Sequence, residues 1–171
     1  MSEQTITVTP IAGALGAEVE GVDLAYVSAE TFAAIRQAFL THHVLMFHDQ
    51  TLSSEQHLAF AKRFGALDIA PFVKAVAGHP EIIEIVKEPE DTINFGAGWH
   101  SDFSFKKEPP LGSLLYALET PPYGGDTMFA NLHLAYETLS DGMKAMLDGL
   151  VGVHSPRRIY SAAALATRKR A

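Results

Sequence analysis

A histidine and an aspartate two residues apart, in Trp99-His100-Ser101-Asp102-Phe103, constrain this chain more than any other feature of its sequence. Side chains alternate faces along an extended segment, so a His-x-Asp pair there presents both groups to one side. The pair follows a glycine-rich loop, Asn94-Phe95-Gly96-Ala97-Gly98, and precedes an aromatic alternation that ends in Glu108-Pro109-Pro110. The expected local structure is a loop, a short strand and a stop, with Trp99, Phe103 and Phe105 forming an aromatic wall around two polar groups. Buried polar groups need partners, and one metal ion satisfies both.

Composition limits what such a pair can serve. A chain of 171 residues with 47% hydrophobic and 19% charged residues has the size and make-up of one globular domain, 1–171, able to bury a core. The 20 acidic and 13 basic residues give a net charge of −7, which disfavours nonspecific binding to nucleic acid and to anionic membranes and favours a small-molecule partner. Every acidic residue lies at or before Asp148, whereas Arg157, Arg158, Arg168, Lys169 and Arg170 crowd the end, so 161–171 reads as a basic tail or a truncation point. The absence of cysteine excludes disulfides, thiolate zinc sites and a catalytic thiol. The start, Met1-Ser2-Glu3-Gln4, lacks the basic and apolar regions of a signal peptide, and no apolar run reaches the ~20 residues of a membrane span. A cytoplasmic location is expected.

Strand-like alternation opens the chain at Thr5–Pro10, and Ala17–Glu20 follows as a second short strand. Ser28 is placed to cap a helix to about Leu40 whose stripe of Phe32, Ile35, Ala38 and Phe39 should dock on a sheet. The apolar run Val44–Phe47 predicts a central strand buried on both faces. Ser53 and Gln56 have capping-box spacing before a helix ending at Gly65. Further strands are expected at Ile82–Val86, at Leu114–Leu118 before the Pro121–Asp126 reversal, and at Val151–His154; two helices are expected from near Asn131 and after Ser140. No GxGxxG or GxxxxGK turn supports a nucleotide site. Pattern alone gives a mixed fold.

Two ligands on one strand are two corners of the 2-His-1-carboxylate arrangement that leaves open positions on a non-haem Fe(II); the bland alternative is a surface hydrogen-bonded pair. Gly98-Trp99-His100-Ser101-Asp102, Glu108-Pro109-Pro110 and Pro121-Pro122-Tyr123-Gly124-Gly125-Asp126-Thr127 resemble the TauD/TfdA family of Fe(II)- and 2-oxoglutarate-dependent dioxygenases. The resemblance extends from Thr9-Pro10 through Asp49-Gln50 and Arg63-Phe64-Gly65 to about Arg158. It implies a mainly β fold with flanking helices, a double-stranded β-helix (jelly-roll) core that is incomplete in this chain. His100 and Asp102 would be catalytic iron ligands, Thr127 would bind a carboxylate of 2-oxoglutarate, and Phe103 and Tyr160 would line the substrate pocket.

The implied reaction consumes O2, decarboxylates 2-oxoglutarate to succinate and hydroxylates a small organic acid of the sulfonate, sulfate ester or aryloxyalkanoate class. Ala70 and Val73 stand where taurine dioxygenase has the histidine and tyrosine of its sulfonate site, which points away from taurine, and Phe103 and Tyr160 point to a more apolar or aromatic-shaped substrate. The family's distal histidine ligand and its 2-oxoglutarate-pairing arginine would fall beyond Ala171, leaving His154 as the one candidate substitute here. Half a jelly roll also leaves unpaired strand edges, so a homo-oligomer is expected. Rival readings are an inactive fragment or binding module that keeps the fold, and a jelly-roll isomerase or lyase that uses a metal without 2-oxoglutarate.

Overall fold

The structure, a computed structural model, describes residues 5–70, 73–90, 96 and 98–156. The chain divides into two compact units, one made of the residues up to Phe64 together with Leu115–Leu150, the other of Gly65–Leu114 and the residues from Val151 on. Tyr160 and the basic 161–171 stretch lie outside the described residues.

The first unit is built on a three-stranded sheet. Strand β1 (Thr7–Pro10) pairs antiparallel with β2 (Ala17–Glu20), and β2 pairs in parallel with β3 (Leu45–Met46). The turn that leaves β2 requires Gly21, whose φ is +80° and where a Cβ would fall 2.7 Å from the Thr5 carbonyl oxygen. Ala17 and Val19 point inward and are fully buried, while Glu18 and Glu20 point away. The central strand is therefore β2. The Val44–Phe47 run supplies an edge strand of two residues, not the predicted central one, because among the described residues it finds a partner on one side only.

Helix α1 (Ala29–His42) starts at Ser28, whose hydroxyl accepts the Thr31 N–H, and it contacts both β2 and β3. Glu30, in its first turn, is held below the ordinary carboxylate range by its own backbone N–H and the Ser28 side chain. That contribution to stability is present at neutral pH and is lost as the pH falls through the depressed value. Helix α2 (Ser54–Lys62) begins with the full capping box of Ser53 and Gln56. Its Phe60 joins Ile35 and Leu24 as the core cluster, and Phe32, Phe60 and Phe64 meet edge-to-face with ring centroids 4.8 to 6.1 Å apart. Arg63 covers this cluster. Its guanidinium lies 4.2 Å from the Phe32 ring centroid and donates to the carbonyls of Val27 and Ser28 at 2.7 and 2.9 Å, fixing the approach to α1.

Gln50 explains why the chain leaves β3 as it does. Its amide accepts from Leu24 N–H and donates to the carbonyls of Val22 and His48, while the Tyr116 hydroxyl donates to its backbone carbonyl. The Leu114–Leu118 run that contains Tyr116 is not a strand: Leu115 is 76% and Leu118 84% exposed, and neither lies in a ladder among the described residues. An apolar extended segment becomes a strand only when a neighbour accepts its backbone groups. Helices α3 (Leu132–Glu137) and α4 (Asp141–Leu147) start at the Asn131 and Ser140 caps, as the sequence predicts. They are tied by a Tyr136 hydroxyl that donates to Asp148 at 2.5 Å, a bond that pushes the phenol's pKa up.

In the second unit β4 (Ala75–Val76) and β5 (His79–Ile83) form a hairpin. The strand expected at Ile82–Val86 is thus displaced towards the N-terminus, and Ile85 and Val86 are exposed beyond it. The turn at Gly78, with φ +81°, places Val76 opposite His79, so the ladder starts before the apolar run does. Val151–His154 is exposed and outside any described strand.

Among the described residues, Ile35 is the one large side chain with no accessible surface. Ile35→Ala is expected to lower the free energy of urea unfolding by about 2–5 kcal/mol, whereas Leu118→Ala should change it by no more than about 0.5 kcal/mol.

Candidate metal centre

The His100–Asp102 stretch is not the strand that its alternation predicts. Asp102–Phe105 form a turn in which Phe103 takes φ +49°, a left-handed conformation that costs a side-chain-bearing residue about 1–3 kcal/mol. Local contacts overcome the strand preference: Lys106 N–H closes the turn on the Phe103 carbonyl at 2.9 Å, and the Phe103 and Phe105 rings meet edge-to-face at 6.0 Å. The expected aromatic wall is also only partial. Phe103 and Phe105 are half-buried, but Trp99 is 70% exposed.

The two polar groups nevertheless converge. His100 Nε2 lies 3.3 Å from Asp102 Oδ1. His100 Nδ1 lies 2.7 Å from the Gly98 carbonyl oxygen. A carbonyl can only accept, so Nδ1 is the protonated nitrogen whenever the ring is neutral, and that tautomer turns the Nε2 lone pair to the carboxylate. The other carboxylate oxygen, Oδ2, accepts from the Ser113 hydroxyl at 2.9 Å. Two lone pairs aimed at each other repel unless a proton or a cation lies between them. An imidazole nitrogen and a carboxylate oxygen, each held from behind by a hydrogen bond, are a donor set that suits a divalent first-row metal. Gly96 lies behind the imidazole with φ +72°, and a Cβ there would stand 3.4 Å from His100 Cε1.

His154 does not complete the set. Its Nδ1 is 2.9 Å from the Ser104 hydroxyl, and no group of three His, Cys, Asp or Glu side chains converges for a metal among the described residues. Thr127 lies in an exposed stretch of the other unit, just after Gly124 and Gly125, whose positive φ angles of 80° and 74° make the reversal its sequence predicts. Of the site residues read from the sequence, His100, Asp102 and Phe103 are brought together here. Ser113, the Gly98 carbonyl and Lys106 were not foreseen. A serine 11 residues from the aspartate it serves leaves no periodic signal.

Among the described residues the chain thus carries short strands, capped helices and a turn-borne His-x-Asp pair. The chain matches the family described as "Taurine catabolism dioxygenase TauD, TfdA family" over residues 7–170, and it belongs to that family. It is 34% identical over 158 residues to an alpha-ketoglutarate-dependent sulfate ester dioxygenase of Pseudomonas putida, covering 91% of this chain and 52% of that protein. It is 33% identical over 162 residues to an (S)-phenoxypropionate/alpha-ketoglutarate dioxygenase of Delftia acidovorans, covering 90% of this chain and 56% of that one. A crystal structure of a taurine dioxygenase from Burkholderia xenovorans superposes with a TM-score of 0.78 at 42% identity, over 87% of this chain and 53% of the other. The chain thus spans about half the length of these relatives, and its described strands form part of the family's jelly roll.

His100→Ala and Asp102→Ala are each expected to abolish Co(II) binding in anaerobic calorimetric titrations. Ser113→Ala, which frees Oδ2, should weaken it about tenfold.

Proposed function

We propose that this chain supplies the two-ligand part of the metal site in an Fe(II)- and 2-oxoglutarate-dependent dioxygenase acting on a small organic acid. The carrying observation is the convergence of His100 Nε2 and Asp102 Oδ1 at 3.3 Å, each backed by its own hydrogen bond. Bound iron would supply the redox chemistry by which O2 splits 2-oxoglutarate to succinate and CO2 and hydroxylates a substrate C–H bond.

The remaining work belongs to the protein's own groups. The Gly98 carbonyl keeps the His100 proton on Nδ1, and the Ser113 hydroxyl keeps Asp102 turned towards the imidazole. By family resemblance, Thr127 would donate a hydrogen bond to a carboxylate of 2-oxoglutarate, and Phe103 and Tyr160 would offer apolar surface to the substrate. The third metal ligand and the cation for the distal carboxylate of 2-oxoglutarate come from residues other than the described ones. The names of the relatives, which specify a sulfate ester, a phenoxypropionate and taurine, support this substrate class, and Ala70 and Val73, in place of the sulfonate-site histidine and tyrosine, argue against taurine itself.

Oxygen uptake and succinate release by the native protein, with Fe(II), 2-oxoglutarate and a panel of alkyl sulfates, alkanesulfonates and aryloxyalkanoates, test the assignment. Stoichiometric succinate with one of these acids is the expected result. Absence of turnover with iron bound favours a binding module, and metal-dependent turnover without O2 favours an isomerase or lyase; either outcome overturns the dioxygenase reading.

A further inference from the structure

The donor pair sits on a turn that contains a left-handed phenylalanine, so something must hold that turn in place. Lys106 does so in three ways at once. Its backbone N–H bonds the Phe103 carbonyl at 2.9 Å, its ammonium lies 4.8 Å from the centroid of the Phe103 ring, and the same ammonium is bonded to the Asp68 carboxylate. Asp68 lies 38 residues away in sequence, on the segment that leaves the Arg63-Phe64-Gly65 helix end.

We propose that the Asp68–Lys106 ion pair is a positioning clamp that holds the Phe103 turn, and through it Asp102, in register with His100. The proposal rests on the reading of His100 and Asp102 as metal ligands. Exposed ion pairs contribute little, because water solvates each partner almost as well and two long side chains must be ordered. This pair differs in two respects. The side chains retain only 27% and 35% of their exposure, and the ammonium is shared with an aromatic face, which holds it on a fixed line.

Phe103 immediately follows Asp102. When the ring loses the cation above it, the residue can relax to negative φ, and that rotation turns the preceding carboxylate away from Nε2. Asp68 orients the ammonium over the ring without touching the metal ligands itself. Asp68 and Lys106 are therefore positioning residues and not catalytic ones.

The test is Co(II) affinity of the whole chain by calorimetry, with thermal unfolding followed in parallel. Lys106→Met keeps most of the stem and removes the charge; Asp68→Asn keeps the shape and removes the negative charge that pairs with the ammonium. Each is expected to weaken Co(II) binding about tenfold with little change in melting temperature. The double variant should be no weaker than either single one, because both break the same clamp. Lys106→Arg, which keeps charge, carboxylate partner and ring contact, should bind within about twofold of the parent chain. Should Lys106→Met fail to fold, Asp68→Asn and Lys106→Arg carry the comparison alone.

Unchanged affinity in folded Asp68→Asn, or losses that add in the double variant, would overturn the clamp. A parent chain that binds Co(II) no better than His100→Ala would instead overturn the metal-ligand reading on which the clamp depends, so the two failures are told apart.

Discussion

Two electron-rich atoms, His100 Nε2 and Asp102 Oδ1, face each other at 3.3 Å, and the chemistry proposed for this chain depends on what lies between them. Neither is free to turn away. The Gly98 carbonyl engages the opposite nitrogen of the ring and the Ser113 hydroxyl engages the opposite carboxylate oxygen. A cation is the natural occupant of such a gap, and preorganising its ligands from behind limits the entropy lost when it binds. Side chains about half exposed on a turn need this support more than a buried strand pair would, since no core packing fixes their rotamers.

Stability is concentrated elsewhere. Leu24, Ile35 and Phe60 form the core of the first unit, with the capping box of α2 and the Arg63 clamp closing it, whereas the described residues of the second unit are joined by the β4–β5 hairpin, polar contacts and the Phe103–Phe105 edge. Large apolar side chains such as Leu118, Met146 and Leu150 remain exposed in the first unit. The matched relatives are about twice as long as this chain, and apolar surface of this kind is what a jelly-roll half presents when its complementary strands are not among the described residues.

Local rules recovered the local structure. Ser28, Ser53, Asn131 and Ser140 each cap the helix their sequence predicts, because a cap is settled by residues within one turn. Strands fared worse where pairing is nonlocal: Val44–Phe47 has the composition of a central strand but only one neighbour, and Leu114–Leu118 has no ladder partner at all among the described residues. At the site, spacing makes the His-x-Asp pair legible but not the reason for its convergence. Alternation along a strand was expected, but a turn stabilised by Phe103 and Lys106 brings the groups together. Ser113 and Asp68 act across 11 and 38 residues, distances at which one sequence carries no signal.

The central claim is that His100 offers Nε2, with the proton held on Nδ1, to a metal shared with Asp102. Imidazole 15N NMR of the whole chain during titration with diamagnetic Zn(II) tests it directly. The account predicts that the His100 Nε2 resonance moves to a metal-bound position while Nδ1 stays protonated, and that Asp102→Asn suppresses the change. Binding through Nδ1, or a Zn(II) response confined to other histidines, would contradict it.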